Sequence, residues 1–555
     1  MGVPGLFLWL LKKYDLNNLI NKKTKEFDCL LIDTNCLLHP QCFKILDECK
    51  ESNIYKLENK MIDECLNYID KLIKYINPKK LVYISIDGVV PCAKIKQQRL
   101  RRFKSAKDKT LFNNLKKKYK KPLDSNWTNA SITPGTVFMH KLHIKIKEYI
   151  KKYKNIKIIY SSCYVEGEGE HKLLQYIKTT DEKYDNYVIY GLDADLIFLS
   201  LSTLKSNMYL LRESQEINKK LDEQLLLIDI DIISELIYDE FIYSINSDVK
   251  LIKDNIIIDF IFICFFLGND FLPHLPSLTL HNNKKLDNGL DLLLYCYCKT
   301  FKIYNKYIIN INTNNIEFNQ EFIINFLDNL ILFENDYLIK NYKLKKWKRN
   351  CNSDNLYERE KFRIENLQFK IEDKLELGKD TEELWKYRYY NHYYKCSHNI
   401  TKTINDACFE YFKGLIWNSH YYYLKCPSWE WYYKFNHGPF LSDLRVFIKT
   451  FNFNTYKFKL GISLTPLKQL ICVLPPQYAF LLPKKYKYFV LNSESEIIHL
   501  YPRDFELDMI NKNKYWQCIP FIPNMEFKKL NIIDKIKLEK YDIIRNYKEK
   551  ILVLN

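Results

Sequence analysis

Seven carboxylates fall in short, sharply defined strings. Asp33 closes FDCLLID, Asp87 closes LVYISID, Glu168 and Glu170 sit in EGEGEH, Asp193 and Asp195 in GLDAD, and Asp270 in LGNDF. Carboxylates gathered at one rim repel each other unless their pKa values rise or cations neutralise them, and a hard, oxygen-seeking cation such as Mg²⁺ is the usual partner. Two such ions side by side activate a water and stabilise the leaving oxygen of a phosphodiester, with no His or Cys nucleophile required. Any one of these acids alone would read as a turn or helix-cap residue. Five of the chain's 13 glycines, Gly88, Gly167, Gly169, Gly191 and Gly268, stand beside the acids, where the backbone must turn closely.

A second constellation follows Asp87. Pro91 is placed to open a helix, and AKIKQQRLRRFKSAKDK sets Lys94, Gln98, Arg101 and Arg102 at i, i+4, i+7 and i+8, on one face. A guanidinium fork and an amide beside an ammonium make a cradle for a terminal phosphate. The competing reading is a solvated amphipathic helix that packs through Ile95, Leu100, Phe103 and Ala106. His39, six residues after Asp33, could stack on a base or serve as a packing residue. Trp429 and Trp431 in CPSWEWYY, with Lys425 and Lys434 nearby, suit stacking on single-stranded bases, with core packing expected for at least one of them.

Positioning these groups is a task for strands. The apolar runs ending at Asp33, Asp87 and Asp193 read as buried parallel strands, and helical patterns around Lys60 to Tyr75, Pro91 to Tyr119 and Thr136 to Tyr153 alternate with them. That is an α/β unit with a mostly parallel central sheet flanked by helices, in which ligands sit beyond the carboxyl ends of the strands. After about Thr300 the character changes. The chain is Asn-rich and irregular near Ile308 to Asn319, densely charged from Lys340 to Lys379, and helical and aromatic from Asp406 to Phe451. The expected division is a first domain, 1–300, with the acids and the basic helix, and a mainly helical second region, 301–555, packed against it and completing the binding pocket.

Composition limits the alternatives. With 555 residues, 47% hydrophobic and only 13 Gly and 17 Pro, the chain is neither disordered nor fibrous. Its net charge of +18 suits a polyanionic partner, although Lys-rich composition bias gives the same total. The 16 cysteines form no CxxC pair and suggest a reducing compartment. The start, MGVPGLFLWLLKKY, has no basic residue ahead of its apolar run, and no targeting segment is read there. The apolar stretch Ile256 to Leu267 is too short for a membrane span and contains Asp259.

These strings resemble the XRN-type 5′-to-3′ exoribonucleases, within the wider flap-endonuclease-like, PIN-like nucleases. The likeness runs through MGVPGLFLWL, DTNCLLH, IDGVVPCAKIKQQRLRRFKSA, DSNWTNASITPGTVFM, EGEGEHKLL, YGLDADLIFLSL and FICFFLGNDFLPHLPSL, and continues in GLIWNSHYYYLKCPSWEWYYKFNHGPFLSDL and YPRDFELD. The chain departs from the family pattern at Cys36, where Gly is usual, at Glu166, where Pro is usual, and at Cys92, where Arg is usual. It stops short of the long carboxy-terminal extension of cytoplasmic members, and no zinc knuckle or basic nuclear signal is read in it.

The resemblance implies catalysis and metal ligation by Asp33, Asp87, Glu168, Glu170, Asp193, Asp195 and Asp270. It implies 5′-phosphate binding by Lys94, Gln98, Arg101 and Arg102, and base stacking by His39 with Trp429, preferred over Trp431. The function implied is processive 5′-to-3′ degradation of 5′-monophosphorylated single-stranded RNA to nucleoside 5′-monophosphates by two-metal-ion hydrolysis. Two Mg²⁺ ions, replaceable by Mn²⁺, are the cofactor, and RNA the partner. A monomer with no membrane association is expected, in the cytoplasm or alternatively the nucleus. Two rivals stand beside this reading: a structure-specific flap endonuclease on DNA, disfavoured because GNDFLPHLPSLTL lacks glycine after Gly268, and a catalytically silent RNA-binding scaffold, disfavoured by the complete set of acids.

Overall fold

The computed structural model describes residues 9–10, 13–14, 20–21, 26–49, 51–213, 225–246, 249–278, 289–312, 315–344, 351, 353–368, 372–396 and 399–554. The opening MGVPGLFL of the N-terminal motif lies outside them.

Strands β1 (Ile20–Asn21), β2 (Cys29–Asp33), β3 (Leu81–Ser85), β4 (Lys157–Ser161), β5 (Tyr187–Tyr190), β6 (Met208–Glu213), β7 (Leu225–Asp229) and β8 (Leu552–Leu554) form one sheet in the order β1-β7-β6-β5-β2-β3-β4-β8. The five central strands, β6, β5, β2, β3 and β4, are parallel, and the sheet closes with antiparallel partners at both ends. The centre reads as unbroken apolar runs because both faces are covered. Leu30, Ile32, Val82 and Ile84 point into one cluster with helices α1 (Thr34–Glu48), α2 (Ile54–Ile76) and α4 (Val137–Tyr149). Cys29, Leu31, Leu81 and Tyr83 point to the other, with α5 (Gly169–Thr179), α6 (Asp195–Leu201), α7 (Ile230–Ile245) and α8 (Lys253–Cys264). The long helix α3 (Cys92–Lys118) leaves this frame immediately after β3.

Helix α9 (Gly289–Tyr304) spans the expected boundary at residue 300, and beyond it lie α10 (Gln320–Ile331), α11 (Glu334–Leu344), α12 (Leu356–Glu365), α13 (Glu382–Tyr394), α14 (Ile400–Tyr423), α15 (Leu441–Phe447) and α16 (Pro466–Val473). Two features differ from the sequence reading. Within the segment taken as irregular, 308–319, residues 309–312 and 315–318 pair as antiparallel strands, Ile309 opposite Phe318 and Ile311 opposite Ile316. Its apolar side chains alternate, but the intervening asparagines hide the strand period. The aromatic stretch after Tyr423 is not helical until Leu441, so the tryptophan-bearing loop is free to run along α3. The end of the chain returns to the first sheet, where β8 pairs with β4.

Among the described residues no helix is long and apolar enough to cross a membrane. The apolar run 256–267 is interior helix. Its one acid, Asp259, is fully buried and accepts from the Tyr297 hydroxyl at 2.7 Å and from the amides of Ile308 and Ile309 at 2.7 and 3.0 Å. Burial pushes its carboxyl up to about 7 against the pull of those three donors. In Asp259→Asn the NH₂ group must face at least one of these donors however the amide is turned. The expected cost is about 2–3 kcal/mol, read as a lower urea midpoint with the folded circular dichroism spectrum retained.

Candidate active site

Asp33 is the last residue of β2, whereas Asp87 and Asp193 lie in the loops just beyond β3 and β5. All three thus reach the carboxyl rim of adjacent parallel strands. Glu168 precedes α5 and Glu170 lies in its first turn, Asp195 opens α6, and Asp270 follows the helical segment that ends at Leu267. Glycine allows these segments to meet. A Cβ on Gly169 would stand 2.8 Å from Asp33 Oδ1 and 3.3 Å from Asp87 Oδ1, and one on Gly88 only 1.8 Å from the Val165 carbonyl oxygen. The Gly169 amide donates to Asp87 Oδ1 at 2.6 Å, and Asn35 Oδ1 accepts from the Asp87 amide at 3.2 Å.

The electrostatics are those of crowded acids. Burial, then the charge of Asp87, pushes Asp33 up to about 7, and burial with the charges of Asp193 and Asp270 does the same to Asp195. Glu170 is driven well above the carboxylate range by burial and by Asp193. Glu168 is raised chiefly by burial. Asp270 is the exception: burial works upward, yet the Lys94 ammonium, 2.7 Å away, holds it at about 2. Lys94 also pairs with Glu168, so it lies within the acidic cluster.

Among the described residues no three or more His, Cys, Asp or Glu side chains stand in geometry ready to hold a metal ion. The donor set nevertheless fits a hard divalent cation. Asp33 Oδ1, Glu170 Oε2 and Asp195 Oδ1 are buried without a hydrogen-bond partner, and the raised carboxyls are those a cation would relieve.

Beyond Lys94, α3 turns its cationic face outward by degrees. Gln98 is buried with Oε1 unpartnered, Arg102 is half-buried with Nη1 unpartnered, and Arg101 is exposed. Burial lowers Arg102 to about 9. Burial, followed by the charges of Arg101 and Arg102, lowers His39 to about 4, which places His39 beside that pair. The opposite face of α3 packs as the amphipathic reading expects, with Ile95, Phe103 and Ala106 in a cluster with α16 and Leu100 against it. Trp429 is half-exposed, and its carbonyl accepts from the Cys92 amide at the start of α3 at 2.9 Å. Trp431 is buried against Trp417, ring centres 5.3 Å apart, and is the tryptophan spent on packing.

Four side chains at the rim escaped sequence reasoning as site components. Cys36 Sγ donates to Asp33 Oδ2 at 2.8 Å and accepts from the Leu192 amide at 3.3 Å, tying β2 to the GLDAD loop. Lys172 Nζ donates to the carbonyls of Ile86, Ser162 and Val165, at 2.5, 3.2 and 3.2 Å. Its place in EGEGEHK, two residues after Glu170, was the available signal. The Tyr421 hydroxyl donates to Glu168 Oε1 at 2.7 Å. Lys548 pairs at 3.0 Å with Glu166, which also accepts from Ser463. The extra acid that opens the EGEGEH string is therefore engaged by the second region. Burial opposes its ionisation, but Ser463 and Lys548 together hold it below the usual range.

A parallel sheet whose strand ends carry clustered carboxylates beside a cationic helix defines a nuclease-type α/β core. The chain belongs to the XRN 5′-3′ exonuclease family: the model of the XRN 5′-3′ exonuclease N-terminus matches residues 1–214, and that of the Xrn1 helical domain matches 250–366 and 334–550. It is 29% identical to 5′-3′ exoribonuclease 2 of Arabidopsis thaliana, over 96% of this chain and 66% of that one. It is 30% identical to 5′-3′ exoribonuclease 1 of Homo sapiens, over 96% and 34%, and 27% identical to 5′-3′ exoribonuclease 2 of Candida albicans, over 98% and 73%. The chain thus spans about two thirds of the plant relative and about a third of the human one. Among solved structures, the catalytic core of Rad2 in complex with DNA substrate aligns with TM-score 0.30 and 10% identity, covering 81% of this chain and 94% of that one, a likeness too slight to carry weight.

Proposed function

We propose that the protein is a metal-dependent, processive 5′-to-3′ exoribonuclease that takes single-stranded RNA with a 5′-monophosphate and releases nucleoside 5′-monophosphates. The observation that carries this reading is the meeting of Asp33, Asp87, Glu168, Glu170, Asp193, Asp195 and Asp270 at one end of the parallel sheet, next to the first turns of α3. Family membership supports it. These seven acids would hold two Mg²⁺ ions, or Mn²⁺ in their place. When bound, the ions supply the positive charge that activates a water and stabilises the leaving oxygen.

The chain's own side chains do the rest. Gln98 and Arg102 offer unpartnered polar atoms on the face of α3, and Arg101 adds an exposed guanidinium, a set suited to a terminal phosphate. Lys94 bridges Glu168 and Asp270 at the inner end of that face and joins the phosphate cradle to the acids. His39, beside Arg101 and Arg102, stacks the first base against Trp429. The division into a nuclease domain, 1–300, and a second region, 301–555, that completes the RNA pocket belongs to the same proposal. So do a monomeric state and a cytoplasmic or alternatively nuclear location, to which the 16 unpaired cysteines are suited.

The test is a Mg²⁺-dependent time course on uniformly labelled single-stranded RNA with a 5′-monophosphate, hydroxyl or triphosphate. Mononucleotide release confined to the monophosphate is expected. Arg101→Ala should reduce the preference for monophosphate over hydroxyl by about tenfold, and an unchanged preference would move the phosphate cradle elsewhere. Internal cuts on every substrate would favour an endonuclease, and binding without cleavage a silent scaffold.

A further inference from the structure

The tyrosine run HYYY in α14 was not among the candidate site residues, and its three rings have different tasks. Tyr423 is buried and donates to the Ile258 carbonyl at 2.8 Å, an anchor between α14 and α8. Tyr422 packs on Phe265. Tyr421 is buried too, but its hydroxyl ends on a carboxylate of the acidic rim, Glu168 Oε1, 2.7 Å away.

The ring that carries this hydroxyl is clamped. His171, three residues after Glu168, lies over it at 3.8 Å between ring centres, and Trp417, one helical turn back, lies against it at 4.5 Å. Phe271, next to Asp270, meets its edge at 5.2 Å. The phenol is therefore held by α5, by its own helix and by the segment bearing Asp270. It takes one oxygen of Glu168 while Lys94 takes the other. A carboxylate that shares its ammonium with a second acid, Asp270, needs a donor of its own if it is to keep one orientation.

We infer that Tyr421 is a positioning residue of the metal centre, supplied by the second region, which fixes Glu168 for cation binding through the clamped phenol. The inference rests on the metal-centre reading above. It makes the second region a working part of the acidic rim as well as a wall of the RNA pocket. Donors that orient a carboxylate ligand in this way typically alter metal affinity by about tenfold or more when removed.

The experiment is a titration of the metal-stripped full-length chain with Mn²⁺, following free Mn²⁺ by electron paramagnetic resonance, for the wild type, Tyr421→Phe and Tyr423→Phe. Tyr421→Phe is expected to weaken Mn²⁺ binding about tenfold, and to raise the Mg²⁺ concentration needed for half-maximal RNA hydrolysis while sparing the rate at saturating Mg²⁺. Tyr423→Phe loses an equally buried phenol bond on the same helix and is expected to leave Mn²⁺ affinity unchanged. Wild-type affinity in Tyr421→Phe would overturn the inference, as would an equal loss in both variants, which would mark a general loosening of α14. A wild type that binds no Mn²⁺ would sink the metal-centre reading, and this inference with it.

Discussion

Asp193→Ala is expected to stop mononucleotide release while RNA still binds. Asp193 stands in the loop after β5, and its charge raises the carboxyls of Asp33, Glu170 and Asp195. It is thus the acid most widely felt by the others. Removing it deletes a candidate ligand and relaxes a repulsion among the carboxyls, while Lys94 keeps Glu168 and Asp270 as its partners. The cationic face of α3 and the Trp429 loop are untouched. The rate should fall on the order of a thousandfold or more, with RNA affinity in EDTA, read by fluorescence anisotropy, close to that of the wild type. A wild-type rate would remove Asp193 from the catalytic set. Parallel loss of rate and binding would place it on the RNA track instead.

The acidic rim was the most legible part of the molecule, because a buried parallel strand and a following acid are both local signals. The runs ending at Asp33, Asp87 and Asp193 became β2, β3 and β5, adjacent and parallel, although only Asp33 belongs to its strand proper. The packing face of the basic helix was legible, since Ile95, Phe103 and Ala106 pack while Arg101 on the other face is exposed. Its periodicity could not reveal that Lys94 lies among the acids, because Asp270 comes from a segment 176 residues away in sequence. The same long separations hid Tyr421 on Glu168 and Lys548 on Glu166.

Net charge was the least reliable guide, for a physical reason. Several cations counted toward a polyanionic partner are interior braces that bind backbone carbonyls. Lys96 donates to Tyr433 and Phe435, Lys178 to Tyr422 and Tyr423, Arg99 to Cys472 and Leu500, and Arg545 to Gly135. Burial lowers both Lys96 and Lys178 to about 7. These side chains are engaged by backbone carbonyls far away in sequence. The nucleic-acid argument therefore rests on where Arg101, Arg102 and Gln98 stand, and the total of +18 adds little to it.

In metal-free protein at pH 7.5, Asp33→Asn is expected to be more stable than the wild type, and Mg²⁺ should reverse that order. Asp33 is nearly fully buried, its Oδ2 satisfied by Cys36 and its Oδ1 unpartnered near Asp87. Its carboxyl titrates near 7 in the folded chain, because of burial and then Asp87, against an ordinary value of 3.8. A folded pKa above the unfolded one means that the native state holds the proton longer. The stabilising contribution is complete at pH values below the unfolded pKa, declines as pH rises, and is lost once pH passes the folded value near 7. Asparagine has no such slope. It keeps an oxygen for the Cys36 thiol and turns an NH₂ toward Asp87. The advantage of Asp33→Asn in EDTA should therefore be on the order of 2–4 kcal/mol at pH 7.5 and shrink toward zero as pH falls to about 4. Comparing variant with wild type at each pH cancels the opposing titrations of His39 and His143, both lowered to about 4 by burial. Saturating Mg²⁺ stabilises only a chain that can bind it, so the wild type should then overtake the variant. The readout is the urea midpoint across pH with and without Mg²⁺. If Asp33→Asn is less stable than the wild type in EDTA at pH 7.5, the acids do not strain one another, and the electrostatic argument for a cation at this rim falls.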